Sequence, residues 1–430
     1  MKFDNRPVVI GGGAAGLAAC LTLEEAGYSP LLIEASDRLG GRLRTESLPD
    51  GTPVDRGFQV LQAGYPELSR WVDFETLECT AFVPGARVFL RGKWRVLADP
   101  RRALNWLPAT LMSGIGNWSD RFKVLRLVFK LQACPTEDIQ NGHFAAQMDR
   151  KHTGKPLGLG PWAHKSTRSF LADWGFSDAF VADFLKPFFS GIFLEGALDT
   201  PAAQFQYTFR MLADGQVVRP KGGMAALVHH LASQLKRTEV KLGCRVEAIE
   251  EGGVMVEGNR LSLSKGAIVA TAGVHESYPL GQWNACVNVV CQTKARRFGK
   301  PVIGLIPAAQ KVTNFHFMED LEGSQGLGRI NVTALLHPQE TFEEAMVVIR
   351  KELLDAGIAC GDVEWSAMIQ QALPRIQSVG SAQMGSELED GIFGAGDALL
   401  APSLDGAMRS GRLAAEALTS WLNNRENQHS

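Results

Sequence analysis

Pro7-Val8-Val9-Ile10-Gly11-Gly12-Gly13-Ala14-Ala15-Gly16 reads as a short apolar strand that runs into a glycine-rich turn and then a helix. Glycine occupies the first, third and sixth positions of G-x-G-x-x-G. Gly11 permits the tight turn out of the strand. Gly13 lets the backbone approach a pyrophosphate with no Cβ in the way, and Gly16 lets the helix pack close to the sheet. The helix start at Ala14 and Ala15 presents unpaired N–H groups and a partial positive charge.

Working outward, Pro30-Leu31-Leu32-Ile33 reads as the next strand and ends in Glu34, 18 residues after Gly16. An acid at that distance accepts hydrogen bonds from ribose hydroxyls and repels a 2′-phosphate, so FAD or NAD fits better than NADP. A glycine fingerprint alone is a weak signal. Here a strand precedes it, a helix follows it, and the acid stands in place. Arg38-Leu39-Gly40-Gly41-Arg42 adds a second glycine pair flanked by arginines.

The whole-chain numbers narrow the class. The 430 residues are enough for two or three domain-sized cores. Hydrophobic content of 45% and charged content of 21% suit a globular protein that is not a membrane span. A formal net charge of −2 gives no global attraction to nucleic acid. No stretch is long and apolar enough to read as a transmembrane helix, and the glycine cluster after residue 10 argues against a secretion signal. The seven cysteines are scattered without C-x-x-C, which predicts free thiols in a reducing compartment and no metal site. The localisation expected is cytoplasmic, or on a plastid or cytoplasmic-face membrane.

The pattern along the chain predicts an α/β fold in which a nucleotide domain is left twice and re-entered twice. Residues 1–70, 213–275 and 385–425 form its pieces, and 71–212 and 276–384 form a second, substrate domain. In the first insertion, 83–96 reads as a hairpin turning at Arg91-Gly92-Lys93, and 101–133 and 166–212 read as helices. In the middle piece, Gly222-Gly223-Met224 opens a helix to Leu235, short strands follow with turns at Gly252-Gly253 and Gly258-Asn259, and Ala267–Thr271 reads as a buried parallel strand. The second insertion, 285–375, reads as short strands with one helix over 340–356. Gly391–Asp397 is a strand ending in a glycine–acid pair, a helix over 406–422 follows, and the polar tail 423–430 reads as frayed.

The chain resembles the superfamily of flavin-containing amine oxidases, protoporphyrinogen oxidases and phytoene desaturases over almost its full length. Five motifs in order carry the resemblance: Val8–Gly16 with Glu34, Arg38–Arg42 with Thr45, Arg219–Met224, Val269-Ala270-Thr271, and Gly396-Asp397 with Pro402–Gly411. It implies a Rossmann-like, GR2-type FAD-binding domain, discontinuous, with a mixed helical and β-sheet substrate domain. It further implies that Gly11, Gly13 and Gly16, with Ala14 and Ala15, hold the pyrophosphate and Glu34 the ribose. Arg42 contacts the pyrophosphate, and Val246 lies on the strand that reaches the adenine. Gly396 and Asp397 serve the ribityl chain or a phosphate-bound water, with a plain helix N-cap as the alternative for Asp397. Ala407 and Met408 lie where a helix N-terminus aims at the flavin pyrimidine end. Gly57 marks a close approach to the flavin or only a turn.

The activity expected is hydride transfer to flavin N5. No catalytic residue stands out, and His316 is only a weak candidate for the substrate site. No cysteine follows Cys360, which predicts non-covalent FAD. Phe393 is the one aromatic between Pro374 and Asp397, which argues against amine oxidation. The phenylalanine-rich stretch over 170–193 resembles the substrate domain of carotenoid-desaturase relatives and predicts a small apolar, polyene-like substrate, with ordinary core as the alternative reading for most of those rings. Residues 91–130 hold nine Lys or Arg against two Asp, with Trp and Leu between them. That suits a peripheral membrane contact, or simply a solvated basic face. Three readings stay open: an FAD oxidoreductase on an apolar substrate, by dehydrogenation or isomerisation; an amine oxidase releasing peroxide from dioxygen; and a non-catalytic flavin-binding protein. Oligomeric state is not legible.

Overall fold

Strands from the start, the middle and the end of the chain meet in one sheet. In this computed structural model, residues 6–144, 160–250, 253–256, 258–272, 274–278, 281–322, 328–379 and 386–429 are described. The sheet order is Glu239–Lys241, Leu31–Ile33, Val8–Ile10, Ala267–Val269, Ile392–Gly394, Ser386–Glu389. The first five strands run parallel, with Val8 beside both Leu31 and Ala267, and Ala267 beside Ile392. The edge strand Ser386–Glu389 is antiparallel. Each of the three central strands is apolar and fully buried, as a sheet covered on both faces requires.

The helix Ala14–Glu25 packs on this sheet beside the long helix Leu404–His429, which also meets the strands Ala267–Val269 and Ile392–Gly394. Two glycines set how close they come. A Cβ at Gly16 would stand 1.9 Å from the Gly11 carbonyl oxygen, and one at Gly411 would stand 2.0 Å from that of Ala15. The second helix runs on through the polar tail to His429, where the sequence predicts fraying. Arg412 forks onto Glu67 and also reaches Glu416 one turn on, which helps to hold this helix.

The second sheet has seven strands, in the order Val363–Arg375, Gln282–Gln292, Arg329–Leu336, Val312–Phe317, Ile303–Leu305, Gly85–Leu90, Lys93–Ala98. The hairpin expected over 83–96 is therefore its edge, turning at Arg91-Gly92. The strands are longer than the short ones expected: Gln282–Gln292 and Val363–Arg375 pair along almost their full lengths. Irregularities in that ladder interrupt the strict alternation that would have marked them as long. The helix Phe342–Asp355, closed at its start by a Thr341–Glu344 capping box, packs on the outer face.

Cys291 and Cys360 form a disulfide across the end of this sheet, so the expectation of seven free thiols is corrected to five. Sequence separation of 69 residues hid the pairing; only the fold brings the two together. The middle hairpins are Val246–Glu250, Gly253–Val256 and Asn259–Ser262. Of the two expected turns between them, Gly252 lies outside the described residues. The helical block packs against the open face of the seven-stranded sheet. Its main members are Leu107–Leu111, Trp118–Gln132, Thr167–Trp174, Lys186–Phe193 and Ala202–Asp214. The 101–133 region is helical as expected, its helices Leu107–Leu111 and Trp118–Gln132 separated by residues 112–117.

Candidate functional site

The two N-terminal glycine motifs touch. Gly40 N–H donates to the Gly12 carbonyl at 2.8 Å, and Gly13 and Gly40 form a parallel bridge. Gly40 and Gly41 both have positive φ, which other residues rarely adopt. Glu34 closes the same corner: Oε2 accepts the Gly12 N–H at 2.7 Å, and Oε1 accepts the Ser36 N–H and hydroxyl at 2.8 Å. The helix at Ala14 starts without a side-chain cap and with no acid in its first turn, so its first N–H groups remain open.

A second interlock lies behind this corner. Asp55 is buried and accepts the Met224 N–H at 2.8 Å, the Thr45 hydroxyl at 2.5 Å and Arg219 Nε at 2.8 Å. It thereby caps the helix Met224–Ser233. A Cβ at Gly223, where φ is +82°, would strike the Asp55 carboxylate at 2.5 Å. The motif over 219–224 is therefore read by Asp55 and Thr45. Sequence reasoning passed over Asp55 as a site residue, although it stands directly before Arg56-Gly57.

Arg42 crosses to the end of the chain. Its guanidinium pairs with both oxygens of Asp397, at 2.5 and 3.0 Å, and lies over the Trp283 ring. Burial works against the arginine's charge, but the adjoining Asp397 outweighs it and raises its pKa. Gly396, at φ +142°, places Asp397, and its N–H donates to the Ser410 hydroxyl. Tyr278 donates to the Ala395 carbonyl beside it. Trp283 and Tyr278 carry no signal in the sequence; their places follow from the strand and loop that enter the second sheet.

These residues line one cavity of about 1290 Å³. Small-molecule and cofactor sites typically occupy roughly 300–1,000 Å³, so this one has room for more than one ligand. At one end stand Gly11, Gly13, Ala14, Ala15, Glu34, Gly41 and Arg42; Gly57, Trp283, Gly396, Asp397 and Ala407 follow. At the other end stand Leu107, Leu111, Trp118, Val124, Phe180, Phe184, Phe188, Phe189 and Phe209. The sheet wall adds Cys286, Asn314, Thr333 and Ile369. The side-chain oxygens of Gln59, Gln62 and Asn314 have no hydrogen-bond partner there.

Three expected site residues sit apart from the cavity. Gly16 is packed under the glycine turn and acts through helix–sheet closeness. Val246 is buried in the core below the first sheet. Met408 is fully buried, and the Ala407 N–H donates to the Ser403 carbonyl inside its own helix. The helix begins at Leu404, two residues earlier than the sequence pattern suggests, so the open N–H groups belong nearer Leu404. His316 also lies outside the main cavity. It packs between Phe58 and Phe82, and burial, then the nearby Arg219 charge, pulls its pKa down to about 3.

The geometry fits a flavin dinucleotide. A Cβ added at Gly13 would meet no atom within 4 Å, so it would project into the open cradle beside the uncapped helix start. The model of flavin containing amine oxidoreductases matches residues 14–285, more than half of the chain. The chain belongs to that family.

Within this family, the chain is 48% identical over 52 residues to an L-amino acid dehydrogenase of Synechocystis, covering 12% of this chain and 11% of that protein. Such curated relatives are thus matched over about a tenth of their length. Likeness in structure is far wider. An oxidoreductase from Methanosarcina mazei aligns over 97% of this chain and 100% of its own, with TM-score 0.69 and 15% identity. A CLA-producing fatty acid isomerase from P. acnes aligns over 96% and 98%, with TM-score 0.68 and 16% identity. At these identities the likeness is one of fold. The family is one of flavin-containing oxidoreductases, and no described helix is long and apolar enough to cross a membrane.

Proposed function

We propose that this oxidoreductase holds FAD non-covalently and acts on an extended apolar substrate, by dehydrogenation or isomerisation. The observation that carries this reading is the cavity's far end, where phenylalanines of the helical segment 178–193, Phe209 of Ala202–Asp214 and apolar residues of Trp118–Gln132 form a wall continuous with the nucleotide cradle. FAD supplies the hydride acceptor when bound. The chain's own residues orient the substrate, exclude water and set the charge. The sequence motifs point to no acid or base for the reaction, and none is assigned.

Charge supports this reading over amine oxidation. Among the described residues lining the cavity, Arg42, Arg44, Arg56, Arg101, Arg102 and Arg121 face only three carboxylates, Glu34, Asp99 and Asp397. Asp397 is paired with Arg42 and Asp99 with Arg101, while Arg44 and Arg56 share Glu46, which does not line the cavity. A cationic amine would meet more positive than negative charge there, while a neutral or anionic apolar molecule would not. Non-covalent attachment is supported by Cys286, the cysteine that lines the cavity among described residues: burial pushes its thiol up to about 12, which leaves little thiolate to react.

The test is purification, heat denaturation and mass spectrometry of what is released. Free FAD together with a long-chain apolar ligand supports the proposal. Flavin that stays with the protein overturns non-covalent binding. Peroxide release and flavin bleaching with simple amines or polyamines overturn the substrate class in favour of amine oxidation.

A further inference from the structure

The helix Trp118–Gln132 has two apolar faces. Val124, Leu127, Val128 and Leu131 turn inward to the cavity wall and core. Trp118, Phe122 and Phe129 turn outward at spacings i, i+4 and i+11, on the opposite stripe, and are 73%, 69% and 63% exposed. Leu104, Leu111 and Met112, just upstream, are exposed as well. Of the nine large hydrophobic residues exposed among the described residues, six therefore fall within 104–129. A cluster of this kind marks a binding surface.

The surface is continuous with the cavity. Leu111 and Trp118 both line it. Arg121 holds them together: its guanidinium donates to the Thr110 and Leu111 carbonyls at 3.2 and 3.3 Å and lies over the Trp118 ring at 5.0 Å. The apolar stripe is thus part of the cavity's rim. Its flanks are basic. Residues 101–130 carry Arg101, Arg102, Arg121, Lys123, Arg126 and Lys130 and one acid, Asp120. Asp120 is buried in the cap of the helix, where it accepts from Asn117 and Ser177. Arg126 and Lys130 are exposed, with their charged groups over the ring of Trp174.

We propose that this face docks on an anionic lipid bilayer, with Trp118, Phe122 and Phe129 at the acyl-chain boundary and the basic flanks on the headgroups. An apolar stripe bounded by cations is complementary to that surface and to few soluble partners. Docking places the cavity rim against the bilayer. Docking rests on the exposed face alone; that the cavity then takes its substrate from the bilayer rests on the apolar-substrate reading above.

The test is flotation of the flavin-loaded protein with vesicles of phosphatidylcholine alone and of phosphatidylcholine with phosphatidylglycerol. The expected result is flotation with the anionic vesicles, weakened by salt. The pair F122S and F129S, on residues that do not line the cavity, should lower vesicle partition about tenfold while leaving the flavin spectrum and melting temperature unchanged, and R126E with K130E should remove the preference for anionic lipid. No flotation of the wild type, or equal flotation of F122S/F129S, overturns the proposal. So does a dimer in sedimentation that these serines dissociate, since it would assign the face to a second copy of the chain. An apolar ligand released from a protein that ignores vesicles would leave the substrate reading standing and remove this one.

Discussion

Arg42 and Asp397, 355 residues apart in the sequence, form a two-pronged pair at 2.5 and 3.0 Å in the wall of the cavity. Each was expected to face the cofactor by itself. Their pairing joins the second glycine motif to the last strand of the first sheet, and it sets the charge of the cradle between the nucleotide end and the apolar end. Arg42→Ala should weaken flavin binding by about 10- to 100-fold, the loss of charged hydrogen bonds worth about 1.5–3 kcal/mol. Arg42→Lys should recover only part of this, because an ammonium lacks the planar fork. Fluorescence titration of the apoprotein with FAD measures both; binding by Arg42→Ala within twofold of wild type would remove Arg42 from the site.

Two glycines separate fold from cradle. Gly13→Ala adds a methyl group that meets no protein atom within 4 Å, so the apoprotein should unfold at the same urea midpoint as wild type while flavin uptake fails. Gly411→Ala pushes a methyl to 2.0 Å from the Ala15 carbonyl, between the first and last helices. It should cost about 1–3 kcal/mol of stability, the usual range for overpacking. Gly13→Ala protein that loads FAD normally would contradict the cradle.

Thiol counting checks the disulfide. Alkylation of the denatured protein before reduction should modify five cysteines, because Cys291 and Cys360 are joined. After reduction, all seven should react. Intact-mass measurement distinguishes the two, and seven adducts without reductant would show that the pair is open.

His316 makes stability depend on pH. Its folded pKa is lowered to about 3, against an ordinary value of 6.5. Below pH 6.5 the unfolded chain therefore binds a proton that the native protein does not. Stability should fall by about 1.4 kcal/mol per pH unit between pH 6.5 and 3 from this residue, and the effect should vanish above 6.5. The urea midpoint of His316→Asn should show a shallower acid limb than wild type; identical limbs would mean that His316 titrates normally in the folded state.

Local physics made much of this molecule legible. The strand Val8–Ile10, the glycine turn and Glu34 are specified within 28 residues, because turn geometry and a helix start need only neighbours in the chain. The parallel sheet assembled from three distant pieces was legible too, since the strands Val8–Ile10, Leu31–Ile33, Ala267–Val269 and Ile392–Gly394 are short apolar runs between turn signals. The helix start at Leu404 was misplaced because Pro402-Ser403 forms its cap, and cap and first turn look alike in sequence.

What the chain by itself determined is therefore the nucleotide fold and the family's cofactor, through motifs whose parts lie close together. Tertiary structure alone decided that Arg42 meets Asp397, that Asp55 caps the helix after Gly223, that Cys291 bonds Cys360, and that one stripe of Trp118–Gln132 faces out beside the cavity rim. Each of these depends on contacts between residues far apart in sequence, and a side chain's partner across the fold leaves no periodic trace in the order of the residues around it.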